Sequence, residues 1–198
     1  MSAARAREPG EIFGPRTTLF ADVLSVGVMT AVVSLPLVTV PAALSTACEV
    51  VRGTQRDQPA TARRYLTVLR GRLRPGDLGA GALALAGAAL LIADLALAGA
   101  GLPGARWFAV AAGVIGGCAV VTGVRACARP ESGTDWRGAV ALAARDAVAD
   151  PGGSALVALA LAAAVLCGYM MLPLAFLAPG PLALALTAVD VRHRGAAR

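Results

Sequence analysis

Long uncharged apolar blocks, separated by polar segments that carry arginines, make up most of this sequence. Uncharged blocks of roughly 18 or more mostly apolar residues are typical of helices that cross a bilayer. We therefore expect an all-α polytopic membrane helical bundle of about five spans and two amphipathic helices. The bundle would be a single membrane domain at 18–190, between an N-terminal tail at 1–17 and a basic tail at 191–198. The expected spans are 18–40, 78–98, 107–124, 154–171 and 174–190.

The last two expected spans share one uncharged stretch. Residues 152–189 carry no charge over 38 positions, which as one helix would measure about 57 Å at about 1.5 Å per residue. A bilayer core is about 30 Å thick, so the chain crosses twice or doubles back. Pro173 offers one break and the turn-like segment 178–181 another. Two spans, or a span and a re-entrant segment, both remain open for 152–190.

Two shorter segments each place apolar residues on one helical face. In 61–74, Tyr65 and Leu69 share such a face and most arginines avoid it; 136–149 repeats the pattern behind a capping Asp135. These patterns predict two amphipathic helices on the membrane surface. We expect the arginines of the first to contact anionic lipid headgroups or a partner: Arg63, Arg64, Arg70, Arg72 and Arg74.

The arginines are unevenly distributed among the connections. Segment 44–76 holds seven and 125–151 holds four, whereas 99–106 holds only Arg106. Positive residues concentrate on the cytoplasmic side, so we expect both long connections there. Five spans would then place the N-terminus outside, against its three arginines, and its side stays open.

Composition supports a membrane location. Only 15 % of residues are charged, against about 25 % in soluble domains. The net charge of +6 lies mainly in loops and tails, which predicts a lipid bilayer as partner and no nucleic acid. All 18 basic residues are arginine, a bias of GC-rich bacterial genomes, so we expect a multi-pass protein of a bacterial plasma membrane.

The first span closes on the sequence SLPLVTVPAAL at 34–44. Pro36 and Pro41 each remove a backbone donor and disfavour a continuous helix. With Thr39 between them, they predict an elbow that turns the chain from crossing the bilayer to following its surface, with a surface helix at about 41–52. A functional hinge is the alternative interpretation.

This elbow carries a family resemblance. The element Pro36-Leu37-Val38-Thr39, then Pro41-Ala42-Ala43-Leu44 and the basic helix that begins Arg63-Arg64-Tyr65-Leu66, resembles the YesL-like family of bacterial membrane proteins, the domain of unknown function 624. Tyr65 stands where the family has an aromatic residue; a second aromatic is absent. The resemblance implies a small integral membrane protein without known catalytic activity. Some members are encoded beside ATP-binding-cassette sugar importers, which implies an accessory role in carbohydrate uptake.

Asp94 is the one ionisable residue well inside a predicted span. An aspartate at a helix centre costs about 2.5–3.5 kcal/mol on insertion scales, and less near the interface. Asp94 is therefore expected either to bind an ion or substrate inside the bundle, or to lie at the interface and pair with Arg106. Separately, Gly113 and Gly117 have the GxxxG spacing of close helix packing, within the chain or between chains.

Catalytic and metal-binding patterns are not visible in the sequence. A nucleophile beside a base, a phosphate-binding loop, paired carboxylates and an HExxH motif are all absent. The four cysteines form no CxxC pair and His193 is the only histidine. We expect neither enzymatic activity nor a cofactor. The expected function is that of a non-enzymatic accessory or assembly partner of a transport system, and the protein would bind the membrane subunits of an importer. The alternative is a small transporter or channel with Asp94 in the solute path; substrate, partner identity and oligomeric state stay open.

Overall fold

The fold is known from a computed structural model that describes residues 15–54, 58, 61–73, 75–99, 104–171 and 176–196. Within these ranges the chain forms eight α-helices and two short 3-10 helices, at Leu37–Thr39 and Pro130–Gly133, and no strand, so the all-α fold is confirmed. The α-helices are α1 Pro15–Val33, α2 Val40–Thr54, α3 Ala62–Arg72, α4 Pro75–Gly99, α5 Ala105–Ala128, α6 Trp136–Ala149, α7 Pro151–Met170 and α8 Pro179–Ala196.

Three of the helices are long and apolar enough to cross a membrane: α4 over Gly76–Gly99, α5 and α7. They coincide with the spans expected at 78–98, 107–124 and 154–171, and each begins a few residues earlier. In α7 the earlier start has a clear cause. The Asp150 side chain accepts a hydrogen bond from the Gly153 backbone N–H at 2.9 Å, and Pro151 occupies the first turn, where its missing N–H costs nothing.

The first and last expected spans have different bounds in the structure. Helix α1 spans Pro15–Val33 and so ends at Val33 rather than near residue 40. Helix α8 begins at Pro179, beyond the start expected at 174, and continues past 190 to Ala196. Pro173 lies outside the described residues. The count of five spans therefore stays a prediction.

Helix α2 lies at the centre of the bundle. It packs against α1, α3, α5 and α8, and eleven of its fifteen residues are buried. The expectation of a surface helix at about 41–52 is therefore wrong. The physical reason is side-chain size: Ala42, Ala43, Ser45 and Ala47 let neighbouring helices approach α2 from several directions.

The main core joins α2 to its neighbours. Val50 and Val51 of α2 pack with Val26 of α1, Tyr65 of α3 and Leu186 of α8, among other residues of one cluster. Helices α1 and α8 approach closely at Gly27 and Gly180. A methyl group at either glycine would overlap backbone atoms of the other helix, so the two backbones meet without side chains between them.

Helices α4 and α5 form an antiparallel hairpin at one side of the bundle. Leu91 of α4 packs against Gly116 of α5, where an added Cβ would lie 2.6 Å from a Leu91 methyl group. Gly104 caps the start of α5, and its φ of +86° favours glycine. Only 6 % of the apolar stretch of α4 and none of that of α5 is buried within the chain.

Candidate functional site

The elbow between α1 and α2 is closed by Thr39. Its hydroxyl lies within hydrogen-bond distance of two carbonyl oxygens, those of Val33 and of Pro36, the latter at 2.7 Å. The carbonyls that the two prolines free are also paired inside the chain. Leu35 N–H donates to Val32 at 3.2 Å, and Val40 N–H donates to Leu37. Neither of these two carbonyls is therefore left unpaired by the break in the helix.

The elbow packs against α4, and Gly81 is the point of closest backbone contact among the glycine positions of α4. The backbone of Val38 lies directly against Gly81, where a Cβ would overlap the Val38 carbonyl oxygen. Glycine is therefore required at this point of α4, because any side chain would push the 3-10 helix Leu37–Thr39 away. The contact connects the elbow, including the Pro36 and Pro41 that flank it, to the α4–α5 hairpin.

Helix α3 exposes only part of its arginine set. Arg63 and Arg70 face outward, and the partly buried Arg64 donates a hydrogen bond to the Gln58 side chain. Arg72 does not belong to this surface: it is 7 % exposed and points into the protein. The expected lipid or partner contact is therefore wrong for Arg72. Arg74 lies outside the described residues.

Arg72 joins three parts of the fold. Its Nε and Nη2 donate to Oε2 of Glu49 on α2, at 2.9 and 2.5 Å. Its Nη1 donates to the Ser132 hydroxyl, in the 3-10 helix that follows α5, at 3.1 Å. These partners compensate for burying a guanidinium, which is costly without them.

Three further arginines form ion pairs near the end of α5. Each pair joins two helices, or joins one helix to the residue that caps another. We call the four pairs the polar belt. They are Arg72–Glu49, Arg52–Asp190 at 3.1 Å, Arg125–Asp150 at 3.9 Å and Arg129–Asp146. Arg52 also donates to the carbonyl of Ala128, and Arg125 donates to the Ser154 hydroxyl at 2.8 Å.

The polar belt brings the two long connections together. Arg52 and Arg72 belong to the 44–76 connection, and they bond to Ala128 and Ser132 of the 125–151 connection. Both connections thus lie on the same side of the bundle. None of these ion pairs was predicted from the sequence, although Arg72 was named as a contact residue. The sequence does hint at such ion pairs, because charged residues such as Arg125 and Asp150 stand next to the ends of apolar helices.

Tyr65 anchors α3 beneath its basic surface. The side chain is fully buried, and its hydroxyl donates to the Ala43 carbonyl of α2 at 3.2 Å. Burial raises the pKa of Tyr65 to about 12 from 10.0, because a phenolate would lose its hydration there, and a hydrogen bond with Thr30 opposes this only in part. The apolar face predicted from Tyr65 and Leu69 therefore faces the core of the bundle.

Asp94 lines a groove between α4 and α5, toward the hairpin turn. The groove has a volume of about 660 Å³, and its other lining residues are apolar: Leu97, Ala98, Ala105, Phe108, Ala111, Ala112 and Ile115. Asp94 is exposed, and no ion pair joins it to Arg106 in the part of the chain that the structure describes. The Arg106 pairing that the sequence left open is thus not formed.

Gly113 and Gly117 lie on an exposed part of α5. An added Cβ at either position would meet no atom within 4 Å, so neither glycine packs within the chain. Neither lines the Asp94 groove. Gly116 instead makes the close contact with α4. Any packing role of Gly113 and Gly117 would therefore involve another chain.

Clusters of three or more potential metal ligands do not occur among the described residues. Of the four free cysteines, Cys48 and Cys127 are buried and Cys118 and Cys167 are exposed. No family model matches the chain, and no curated protein or solved structure matches it either. Its function therefore has to be inferred from the arrangement of its own residues.

Proposed function

We propose that this chain is a YesL-like accessory or assembly partner of a transport system, without enzymatic activity of its own, and that it serves carbohydrate uptake. The proposal rests on the apolar surfaces of α4, α5 and α7, which the rest of the chain leaves almost uncovered. The apolar stretches of α4, α5 and α7 are buried within the chain to only 6 %, 0 % and 11 %. Helices this uncovered pack against lipid tails or against the spans of another protein.

The rest of the bundle is suited to hold that surface in place. The polar belt joins α2 to α3 and α8, and joins the end of α5 to α6 and to the start of α7. Partly buried ion pairs with additional hydrogen bonds favour one arrangement of the helices. The α4–α5 hairpin therefore extends from a fixed base.

Two surfaces are the proposed contacts. The exposed stripe of Gly113 and Gly117 on α5 allows close approach of a partner's transmembrane helix. Arg63 and Arg70 on α3 would meet anionic headgroups or a partner's cytoplasmic surface, at about 1 kcal/mol for each arginine near the membrane. The proposed partners are the membrane subunits of an ATP-binding-cassette sugar importer.

The proposed location is the plasma membrane of a bacterium, with the polar belt on the cytoplasmic side. The two arginine-rich connections meet at the belt, and arginine-rich connections are retained on the cytoplasmic side of membranes.

The test is gentle detergent extraction from native membranes, followed by identification of proteins that co-purify in stoichiometric amounts. We expect the membrane subunits of an importer, and we expect Gly113→Leu with Gly117→Leu to reduce their recovery severalfold. Gly87→Leu is the matched control, because Gly87 also has no atom within 4 Å of an added Cβ but lies on α4. Recovery of the protein alone, as a monomer or homodimer, would contradict the proposal.

The second candidate function is a small transporter or channel with Asp94 in the solute path. The groove beside Asp94 favours it, because a carboxylate exposed between apolar helices is an unusual and costly feature. This candidate predicts that Asp94→Asn abolishes solute flux in proteoliposomes at an unchanged protein level. Flux that persists in the variant would exclude it.

A further inference from the structure

The groove between α4 and α5 combines one carboxylate with a wholly apolar lining. Asp94 supplies the charge, and Leu97, Phe108 and Ile115 supply the largest apolar side chains. A volume of about 660 Å³ lies within the range of about 300–1,000 Å³ that is typical of small-molecule sites. The groove is therefore large enough for a compact organic molecule rather than for a single ion.

The charge of the groove restricts its ligand. In the described part of the chain, neither a salt bridge nor a hydrogen bond links Asp94 to another side chain. Asp94 lies five residues before the end of α4 at Gly99, or roughly 7 Å along the helix. A carboxylate that lies between apolar helices without a side-chain partner favours a cation beside it.

The apolar lining restricts the ligand further. A small inorganic cation would need several oxygen ligands, and among the described residues that line the groove only Asp94 is charged. A bulky organic cation needs only one counter-charge, because its apolar body already lies among lipid tails and can pack against the apolar lining. The exposed ring of Phe108 adds an aromatic face, to which organic cations are attracted.

We propose that the α4–α5 groove binds a hydrophobic organic monocation, with the cationic centre beside Asp94 and the apolar body between Leu97, Phe108 and Ile115. The ligand class is an ammonium or phosphonium centre that carries aromatic or branched substituents. Such a molecule partitions into the outer part of the bilayer, so it would reach the groove from the lipid side. This site does not depend on the accessory function proposed above, since Gly113 and Gly117 lie outside the groove.

The test is equilibrium binding of radiolabelled tetraphenylphosphonium to the full chain in phosphatidylcholine nanodiscs, with empty nanodiscs as the measure of lipid partition. We expect saturable binding of one cation per chain. Asp94→Asn should weaken binding by about tenfold or more, because it removes the only counter-charge. Asp94→Glu should retain most of the affinity. Tetraphenylborate, an anion of similar shape, should show no saturable binding.

Two further variants separate the groove from general effects of substitution. Ala112→Phe fills the groove and should abolish binding, whereas Gly87→Phe adds similar bulk to an open position outside it and should bind like the wild type. Asp22→Asn removes a carboxylate on α1 and should also bind normally. Binding no greater than in empty nanodiscs would overturn the proposal. So would equal affinity of the wild type and a folded Asp94→Asn protein.

Discussion

Oε2 of Glu49 accepts two hydrogen bonds from the Arg72 guanidinium, one from Nε at 2.9 Å and one from Nη2 at 2.5 Å. The two residues belong to α2 and α3, and Arg72 also reaches Ser132 beyond α5. This pair therefore holds α3 to the central helix and to the second long connection. An arginine that the sequence places among surface residues is instead part of the internal structure.

We predict that Arg72→Ala destabilises the protein by about 2 kcal/mol, because Glu49 and Ser132 lose a charged donor; the partial exposure of Glu49 limits the loss. Arg70→Ala is the matched control on the same helix. Arg70 is exposed, and its loss should change stability by less than about 0.5 kcal/mol. Thermal unfolding in detergent measures both, and equal melting temperatures would contradict the internal role of Arg72.

The hydroxyl of Thr39 offers a second test, at the elbow. Thr39→Val keeps the shape of the side chain but removes the donor to the Val33 and Pro36 carbonyls. We expect a loss of about 1–2 kcal/mol. Thr67→Val removes an exposed hydroxyl that bonds within α3 and should cost much less. If urea or thermal unfolding shows equal effects for the two variants, Thr39 does not close the elbow.

Gly81 and Gly79 form a natural pair for testing the contact between the elbow and α4. A methyl group at Gly81 would overlap the Val38 carbonyl, whereas Gly79 has no atom within 4 Å. Gly81→Ala should therefore destabilise the protein by about 1–3 kcal/mol through overpacking. Gly79→Ala should be neutral or slightly stabilising, because alanine favours the helix. The comparison is a melting-temperature measurement, and two neutral substitutions would separate the elbow from α4.

Because Tyr65 is buried, we predict that the free energy of unfolding depends on pH in the alkaline range. The pKa of Tyr65 is raised to about 12, from 10.0 in the unfolded chain. Below pH 10 the phenol is protonated in both states, so its contribution is fully present. As the pH rises from 10 toward 12, only the unfolded state ionises, and about 2 kcal/mol of stability is lost.

Phenolate absorbance measures this titration directly. The chain has two tyrosines, so Tyr169→Phe leaves Tyr65 as the only phenol. We expect its absorbance to rise near pH 12 or upon unfolding, and a midpoint near pH 10 in the folded protein would be inconsistent with a buried side chain. Tyr65→Phe should show a flatter dependence of stability on pH than the wild type between 10 and 12.

The sequence predicted the apolar helices better than it predicted their arrangement. Helices α4, α5 and α7 were recognisable because each is a long run without interior charges, apart from Asp94. Helix α2 was misplaced because nearby prolines and arginines resemble those of an interfacial segment. Its small residues, such as Ala43 and Ala47, do not show from the sequence alone that other helices surround them.

The ion pairs of the polar belt could not be predicted from the sequence, for a related reason. Arg72 lies 23 residues from Glu49 and 60 from Ser132, so its inward direction depends on how distant helices pack. The groove depends on packing in the same way. Asp94 was recognisable as a charge in an apolar helix, but its apolar surroundings come mostly from α5.

Helix α2 is enclosed by the bundle and does not lie on the membrane surface. Four consecutive positions, Ser45, Thr46, Ala47 and Cys48, are at most 1 % exposed. They are spaced about 100° apart, so together they cover every side of the helix. A surface helix would present at least one of them to water.

The most direct measurement is therefore labelling of single cysteines at 45–48 by a membrane-impermeant maleimide, in open native membranes and with the other cysteines replaced by alanine. A cysteine at the exposed position of Arg63 serves as the positive control. We expect rapid labelling at 63 and protection at all four α2 positions until the protein is denatured. Rapid labelling at any of the four, in a protein that remains folded, would instead place α2 at the surface.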